Sequence, residues 1–242
     1  MIESKENKKI KYIRHLRENK FMKEEKKFVV EGDHLVKEAK LSGVLLETYS
    51  TYERDYGVLN NVVSKNVMDY ISALPSSTDV IGVCKFIDNK EELGKRIIIL
   101  DNVQDPGNIG TIIRSAKAFN VDTVVLGKGT VKKYNEKVIR SSQGMLFKVN
   151  IIEEDLKTFI PRLKDDGYLV YGTDVVAGKD VKNVNLEGKV ALVLGNEGNG
   201  VSQDIKELVN DNLYIKINDD CESLNVAVAA SILMYEMAKG DE

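Results

Sequence analysis

Residues 96–116 read RIIILDNVQDPGNIGTIIRSA. Ile97 to Leu100 form an unbroken apolar run, the mark of a strand buried on both faces rather than one. Pro106 and Gly107 force a turn, and Asn108 is of the type that caps a helix. Ile109, Ile112, Ile113 and Ala116 then recur at helical spacing and share one face. Buried strand, turn and amphipathic helix make the first half of a βαβ unit.

Outward from this stretch the pattern repeats. Apolar runs occur at 123–126, 168–171 and 190–194, with helical periodicity between most of them. Alternating buried strands and helices imply an α/β fold, a parallel sheet with helices on both faces. Ligands in such sheets sit at the carboxyl ends of the strands. Towards the N-terminus the elements are shorter. Residues 1–20 read as one basic helix carrying Ile10, Ile13 and Leu16. Strands are expected around Phe28–Val30, Leu45–Tyr49, Asn61–Val63 and Asp79–Cys84, with helices opening at Asp33 and Ser64. We read residues 1–87 as a small α/β domain, the charged and apolar-poor residues 88–95 as a linker, and 96–242 as the larger domain.

The composition is that of an ordinary globular protein: 242 residues, 43% hydrophobic and 30% charged. Net charge is −3, but it is unevenly spread. Residues 1–27 hold ten Lys/Arg and five Asp/Glu, and the remaining residues hold 25 and 33. A basic leading segment on an acidic body reads as a phosphate-contacting arm or as a solvated amphipathic helix. Cys84 and Cys221 form no CxxC, so packing is the expected role of each thiol, in a reducing cytoplasm. His15 and His34 form no ligand cluster, and no metal is expected. No signal sequence is visible and no apolar run is long enough to span a bilayer, so no membrane partner is expected.

Three segments carry chemistry. In the first, Arg114 lies nearly opposite the apolar stripe of its helix, one turn past the N-terminus. That position suits a phosphate or carboxylate partner, or a plain surface ion pair. The second is LGNEGNGVS, residues 194–202, where three glycines in six residues allow positive φ and close approach of a ligand to backbone. Glu197 sits inside this loop. The third, LYIKINDDCESLNV at 213–226, runs from a strand through a polar loop into a helix. From Leu224 to Tyr235 no residue is charged, and a helix apolar on all sides is expected to be buried on all sides, a second subunit being the simplest cover. Ser223 and Asn225 are its polar exceptions and need partners in protein or substrate. Neither a GxGxxG fingerprint nor a Walker loop is present, which disfavours a doubly wound oxidoreductase and a P-loop enzyme.

In order, the three segments resemble the three motifs of the SpoU (TrmH) family of RNA ribose 2′-O-methyltransferases, within the SPOUT superfamily. The family pattern is Asp-x-x-x-Asp-Pro-x-Asn-x-Gly-x-x-x-Arg, then Gly-x-Glu-Gly-x-Gly, then Ile-Pro-Met and Glu-Ser-Leu-Asn-Val. The match spans residues 101–238. Residues 1–87 are similar, more loosely, to the family's L30e-like substrate domain, chiefly through KFVVEG at 27–32. The resemblance implies S-adenosyl-L-methionine as methyl donor, a deep trefoil knot, and a homodimer with the active site near its interface. By matching position it implies Asn108, Arg114, Glu197, Ser223 and Asn225 as the active-site set. Backbone at Leu194, Gly195, Ile215 and Leu224 would cradle the cofactor. Lys216 and Asp219 replace the family's Pro and Gly in the third motif. The implied substrate is RNA, ribosomal rather than transfer RNA on the strength of the sizeable N-terminal domain. A transfer-RNA enzyme and a non-catalytic RNA-binding relative are the alternatives, the latter disfavoured by the intact Asn108, Arg114 and Ser-Leu-Asn set.

Overall fold

The computed structural model describes residues 1–239 apart from 75, 77 and 176. The chain divides into two units, Met1–Asp88 and Asn89–Glu242.

The first unit contains α1 (Lys8–His15), α2 (Asn19–Glu25), β1 (Lys27–Glu31), α3 (Asp33–Leu41), β2 (Leu45–Ser50), β3 (Leu59–Val62), α4 (Lys65–Ile71) and β4 (Val80–Lys85). Its strands form a mixed sheet in the order β1-β4-β2-β3, with only β2 and β3 parallel. Ile10, Ile13 and Leu16 pack with Val29, Tyr49, Met68 and Ile81 into one core. Each such burial is worth about 1.5–3 kcal/mol. The basic leader is therefore built into the domain and is not a free arm. The single helix expected over residues 1–20 is also two helices. Glu18 is extended (φ −81°, ψ 123°), and Arg17 turns inward to donate to the Ile71 carbonyl and to Glu31. A guanidinium held by the end of α4 and by β1 fixes that break.

The second unit contains β5 (Arg96–Leu100), α5 (Pro106–Ala118), β6 (Thr123–Leu126), α6 (Glu136–Ser141), a short 3-10 turn (Met145–Phe147), β7 (Asn150–Glu153), α7 (Leu156–Asp165), β8 (Leu169–Thr173), β9 (Lys179–Asp180), β10 (Val190–Leu194), α8 (Gln203–Lys206), β11 (Asp211–Tyr214) and α9 (Val226–Ala238). The sheet order is β7-β6-β5-β10-β8-β11-β9, and every pairing is parallel. Ile97, Ile99, Ala191 and Val193 point to one face, where Phe159, Ile160 and Leu163 of α7 cover them. The residues between them point to the other face, the side on which α5 and α9 pack together. Chain order reverses between β5 and β10, so their carboxyl ends border the crevice in which such sheets bind ligands.

Most of the stretch expected as a linker is tied to this second unit. The Lys90 amide donates to Asn150 Oδ1 (3.0 Å), Thr123 Oγ1 to the Leu93 carbonyl (2.7 Å), and the Lys95 amide to Asp122 (2.7 Å). One other expectation is corrected: Cys84 is buried, but Cys221 is exposed and does not serve packing. For α9 a single chain covers only part of the helix, leaving Val228 48% and Tyr235 51% exposed. Its buried side carries Val226, Ala227, Ala230, Leu233, Met234 and Met237.

Candidate active site

The helix α5 begins at Pro106, and its cap is Asp105 rather than Asn108. Asp105 Oδ1 accepts from the amides of Gly107 (2.5 Å) and Asn108 (3.3 Å). Those amide bonds, first that of Gly107, hold the Asp105 carboxyl below its usual range. A proline with no N–H suits the first helical position directly after such a cap. Asn108 is thereby freed for tertiary contacts. Its Nδ2 donates to Glu197 Oε1 (3.1 Å), and its Oδ1 accepts from Asn225 Nδ2 (3.1 Å). One side chain from each of the three sequence segments meets in this chain of bonds.

Glu197 is the hub. It also accepts from the Gln104 amide (3.3 Å) and the Asp105 amide (3.2 Å). Burial pushes its carboxyl upward, but its own amide, Asn108 and the two loop amides together hold it below the ordinary glutamate value. A carboxylate with that many donors stays ionised and fixes the loop before α5 against the glycine loop after β10. Asn225 is the cap of α9, its Oδ1 accepting from Ala227 (2.9 Å) and Val228 (3.3 Å). Further along, Ser115 and Ser231 hydroxyls meet at 2.7 Å and Phe119 meets Tyr235 edge-on. Thus α5 and α9 lie side by side with the same polarity, and both N-termini open at the site.

Residues 195–200 fold back on themselves through paired Asn196 and Gly200 backbone bonds of 3.0 and 2.9 Å. Of the three glycines only Gly200 takes a positive φ (67°). Gly195 is needed for a different reason: a Cβ there would sit 1.9 Å from the Gly200 carbonyl carbon. Asp101, 8% exposed, sets the base of the loop by accepting from the Ser202 amide (2.8 Å).

Beside this loop lies a cleft of about 510 Å³, lined at the carboxyl ends of β8, β10 and β11. All four residues expected to cradle the cofactor, Leu194, Gly195, Ile215 and Leu224, line it, as do Glu197, Ser223 and Asn225. Asn108 and Arg114 do not. Arg114 is exposed on the outward side of α5, and no hydrogen bond or ion pair engages its guanidinium among the described residues. Sequence reasoning missed Thr173, Asp174 and Lys206, which form the far wall of the cleft. Lys206 pairs with Asp174 at 2.7 Å. Only the rule that ligands gather at strand carboxyl ends pointed to Thr173 and Asp174, because nothing local marks them. Among the described residues no cluster of His, Cys, Asp or Glu could hold a metal. The cleft fits S-adenosylmethionine in size and lining. Its volume is in the range of small-molecule sites, apolar Leu194, Ile215 and Leu224 suit a flat base, and the Glu197 carboxylate suits a cationic sulfonium.

The SpoU rRNA methylase family matches residues 95–235, the whole span from β5 into α9. The chain belongs to the SpoU rRNA methylase family. It is an S-adenosylmethionine-dependent RNA ribose 2′-O-methyltransferase. The MRM3-like substrate binding domain matches residues 7–82. Among SpoU relatives, the 23S rRNA (guanosine(2553)-2′-O)-methyltransferase RlmP of Bacillus subtilis is 35% identical, over 98% of each chain. The AdoMet-bound rRNA methyltransferase of Sinorhizobium meliloti is 26% identical over 99% of this chain and 97% of its own, with a TM-score of 0.88. The A. aeolicus TrmH/SpoU tRNA modifying enzyme is 26% identical, with a TM-score of 0.52, and covers 61% of this chain and 77% of its own.

Proposed function

We propose that this chain methylates a ribose 2′-hydroxyl of 23S ribosomal RNA, as a cytoplasmic homodimer. The observation that carries the substrate is the match to RlmP over 98% of both chains, N-terminal unit included. The tRNA-modifying relative aligns with only 61% of the chain, which disfavours the transfer-RNA reading. Mapping 2′-O-methylation in RNA from cells with and without this protein is expected to lose one site in large-subunit RNA. A site lost from transfer RNA instead would overturn the assignment.

Bound in the cleft, S-adenosylmethionine supplies a methyl group already activated on sulfur. The protein has to place the hydroxyl and ease loss of its proton. Guanidinium stays protonated in proteins, so Arg114 is a poor base. We assign it to the neighbouring phosphate and to the negative charge that develops on the hydroxyl oxygen. Asn108 spends both ends of its amide on Glu197 and Asn225 and is a positioning residue. Ser223, exposed on the cleft wall, and the second amide hydrogen of Asn225 orient the hydroxyl. The knot implied by the family belongs to the same proposal.

The homodimer is supported by two features. Val228 and Tyr235 leave an apolar stripe on α9 that is about half exposed among the described residues. Arg114 also stands away from the cleft of its own chain, so a second copy would complete the site. A Val228→Asp variant should fold, since the side chain is half exposed. It should weaken association by about 3 kcal/mol or more, the cost of an unpaired charge in an interface, which is at least a hundredfold. Wild-type chain sedimenting at 27.1 kDa at micromolar concentration would remove the proposal.

The basic leader is a second RNA-facing candidate. Lys8, Lys20, Lys23 and Lys26 are exposed, and no ion pair holds them among the described residues. Because α1 is part of the core, truncation is the wrong test. Changing these four lysines to Gln should flatten the salt dependence of RNA binding by roughly 0.7–0.9 per lost phosphate contact in log–log slope. An unchanged slope would leave a solvated helix face.

A further inference from the structure

Charge in the second unit is concentrated in one stretch. Residues 89–242 carry 20 Lys/Arg and 24 Asp/Glu, a net −4. Within them, residues 106–148 carry eight Lys/Arg against Asp122 and Glu136 alone. Asp122 is occupied at the sheet, accepting from the Lys95 and Arg96 amides (2.7 and 2.9 Å). On α5, α6 and the turn after them this leaves Arg114, Lys117, Lys137, Arg140 and Lys148 against Glu136, a net positive face on a negative body.

Packing explains how this face is assembled around Arg114. Gly110 of α5 lets α6 approach to backbone distance: a Cβ there would lie 1.9 Å from Ser141 Oγ. Ser141 Oγ in turn bonds the Pro106 carbonyl (3.2 Å). At the other end of α6, Lys137 reaches Asp105 Oδ1 (3.4 Å) across Gly107. Gly107, Gly110 and Arg114 are spaced three and four apart, so they share one stripe of α5. The first two touch α6, and Arg114 continues the stripe just past the end of α6. Arg140, in the last turn of α6, is exposed, and its guanidinium has no partner among the described residues. Two unpaired guanidinium groups and the Lys137 ammonium thus line adjoining helices. Asp105 already pairs with Lys137, so the two guanidinium groups are the cations left for an external anion to cover.

We propose that the α5–α6 face is where the sugar–phosphate backbone of the substrate RNA lies, with Lys137 and Arg140 holding phosphates that flank the one at Arg114. Phosphates spaced along a strand match cations spaced along two helices, and a carboxylate ligand would not need three. The proposal rests on RNA being the substrate.

The test uses the full chain and a labelled oligouridylate, which offers phosphates without base readout. Binding is followed against salt for wild type, for a Lys137→Gln/Arg140→Gln double variant, and for Lys182→Gln, an exposed lysine outside residues 106–148. S-adenosylmethionine titration and circular dichroism are run on each. We expect the double variant to lose roughly 0.7 in log–log slope per contact, about 1.4 in all, with cofactor affinity and folding unchanged. Lys182→Gln should match wild type. Arg140→Lys, which keeps the charge, should restore most of the slope when Lys137 is intact. A double variant with wild-type slope, or Lys182→Gln falling as far, would overturn this face as the binding surface. Wild-type chain with no salt-dependent binding would instead remove the RNA premise on which the face depends.

Discussion

Replacing Arg114 with alanine is expected to slow single-turnover methyl transfer by about 10²–10³-fold, the usual loss when one donor to a developing oxyanion is removed. The affinity for S-adenosylmethionine should change by less than about twofold. The two effects separate because Arg114 does not line the cleft, and no hydrogen bond or ion pair joins its guanidinium to a lining residue among the described residues. Folding should be intact as well. The side chain is exposed, it holds no partner among the described residues, and alanine is the better helix former. Arg114→Lys sharpens the reading. It keeps the charge but loses the planar fork that holds a phosphate by two bonds. It should therefore recover only part of the rate. Near-normal transfer in Arg114→Ala would sink the assignment, and so would full rescue by lysine if a bidentate hold is the point.

How much of this was legible in the sequence depends on the kind of interaction. The central strands were, because four or five consecutive buried residues leave no other reading. Ile97 to Leu100 are all fully buried, as are Val190 to Val193. β7 and β9 were not. β7 is four residues long and β9 is two, held only by its register with β11, so neither carries a period. The cap of α5 was misplaced between two suitable residues. Pro106, which favours the position directly after a cap, was the signal that should have selected Asp105. The all-apolar α9 could not disclose its exposed side, since a helix without polar residues has no face to read. The site itself was named residue by residue through the family resemblance, but its wiring was not. The Glu197–Asn108 bond spans 89 residues and the Asn108–Asn225 bond 117, and only the fold brings them together. Arg114 was read correctly as pointing away from its own core. That it does not line the cleft of its own chain could not be read from the helix.

The largest effect on the cofactor site is expected from a single methyl group. In Gly195→Ala the new Cβ would lie 1.9, 2.0 and 2.2 Å from Gly200 C, Val201 N and Gly200 O. All three are backbone atoms, so no rotamer change relieves the clash. Either β10 must shift at Leu194, which is 1% exposed and packed in the sheet, or the loop must open. Opening breaks the two Asn196–Gly200 bonds and draws Glu197 away from Asn108 and the loop before α5. Overpacking and two lost hydrogen bonds together cost about 2–4 kcal/mol. Because the loop forms the cleft wall, S-adenosylmethionine affinity should fall at least about a hundredfold, ~2.7 kcal/mol. The other glycines of the loop provide the controls. Gly200→Ala keeps its space but must hold φ near 67°, a strain of roughly 1–2 kcal/mol. Gly198→Ala meets nothing closer than 3.5 Å and has no positive φ, so it should bind like wild type. Titration calorimetry and urea unfolding of the three variants should rank Gly195 well above Gly200, and Gly200 above Gly198. Wild-type cofactor affinity in Gly195→Ala would mean that the hairpin of residues 195–200 does not form the binding wall. A loop governed by flexibility alone would instead make Gly200→Ala the worst of the three. The ranking therefore separates close approach from backbone freedom as the reason this segment is rich in glycine.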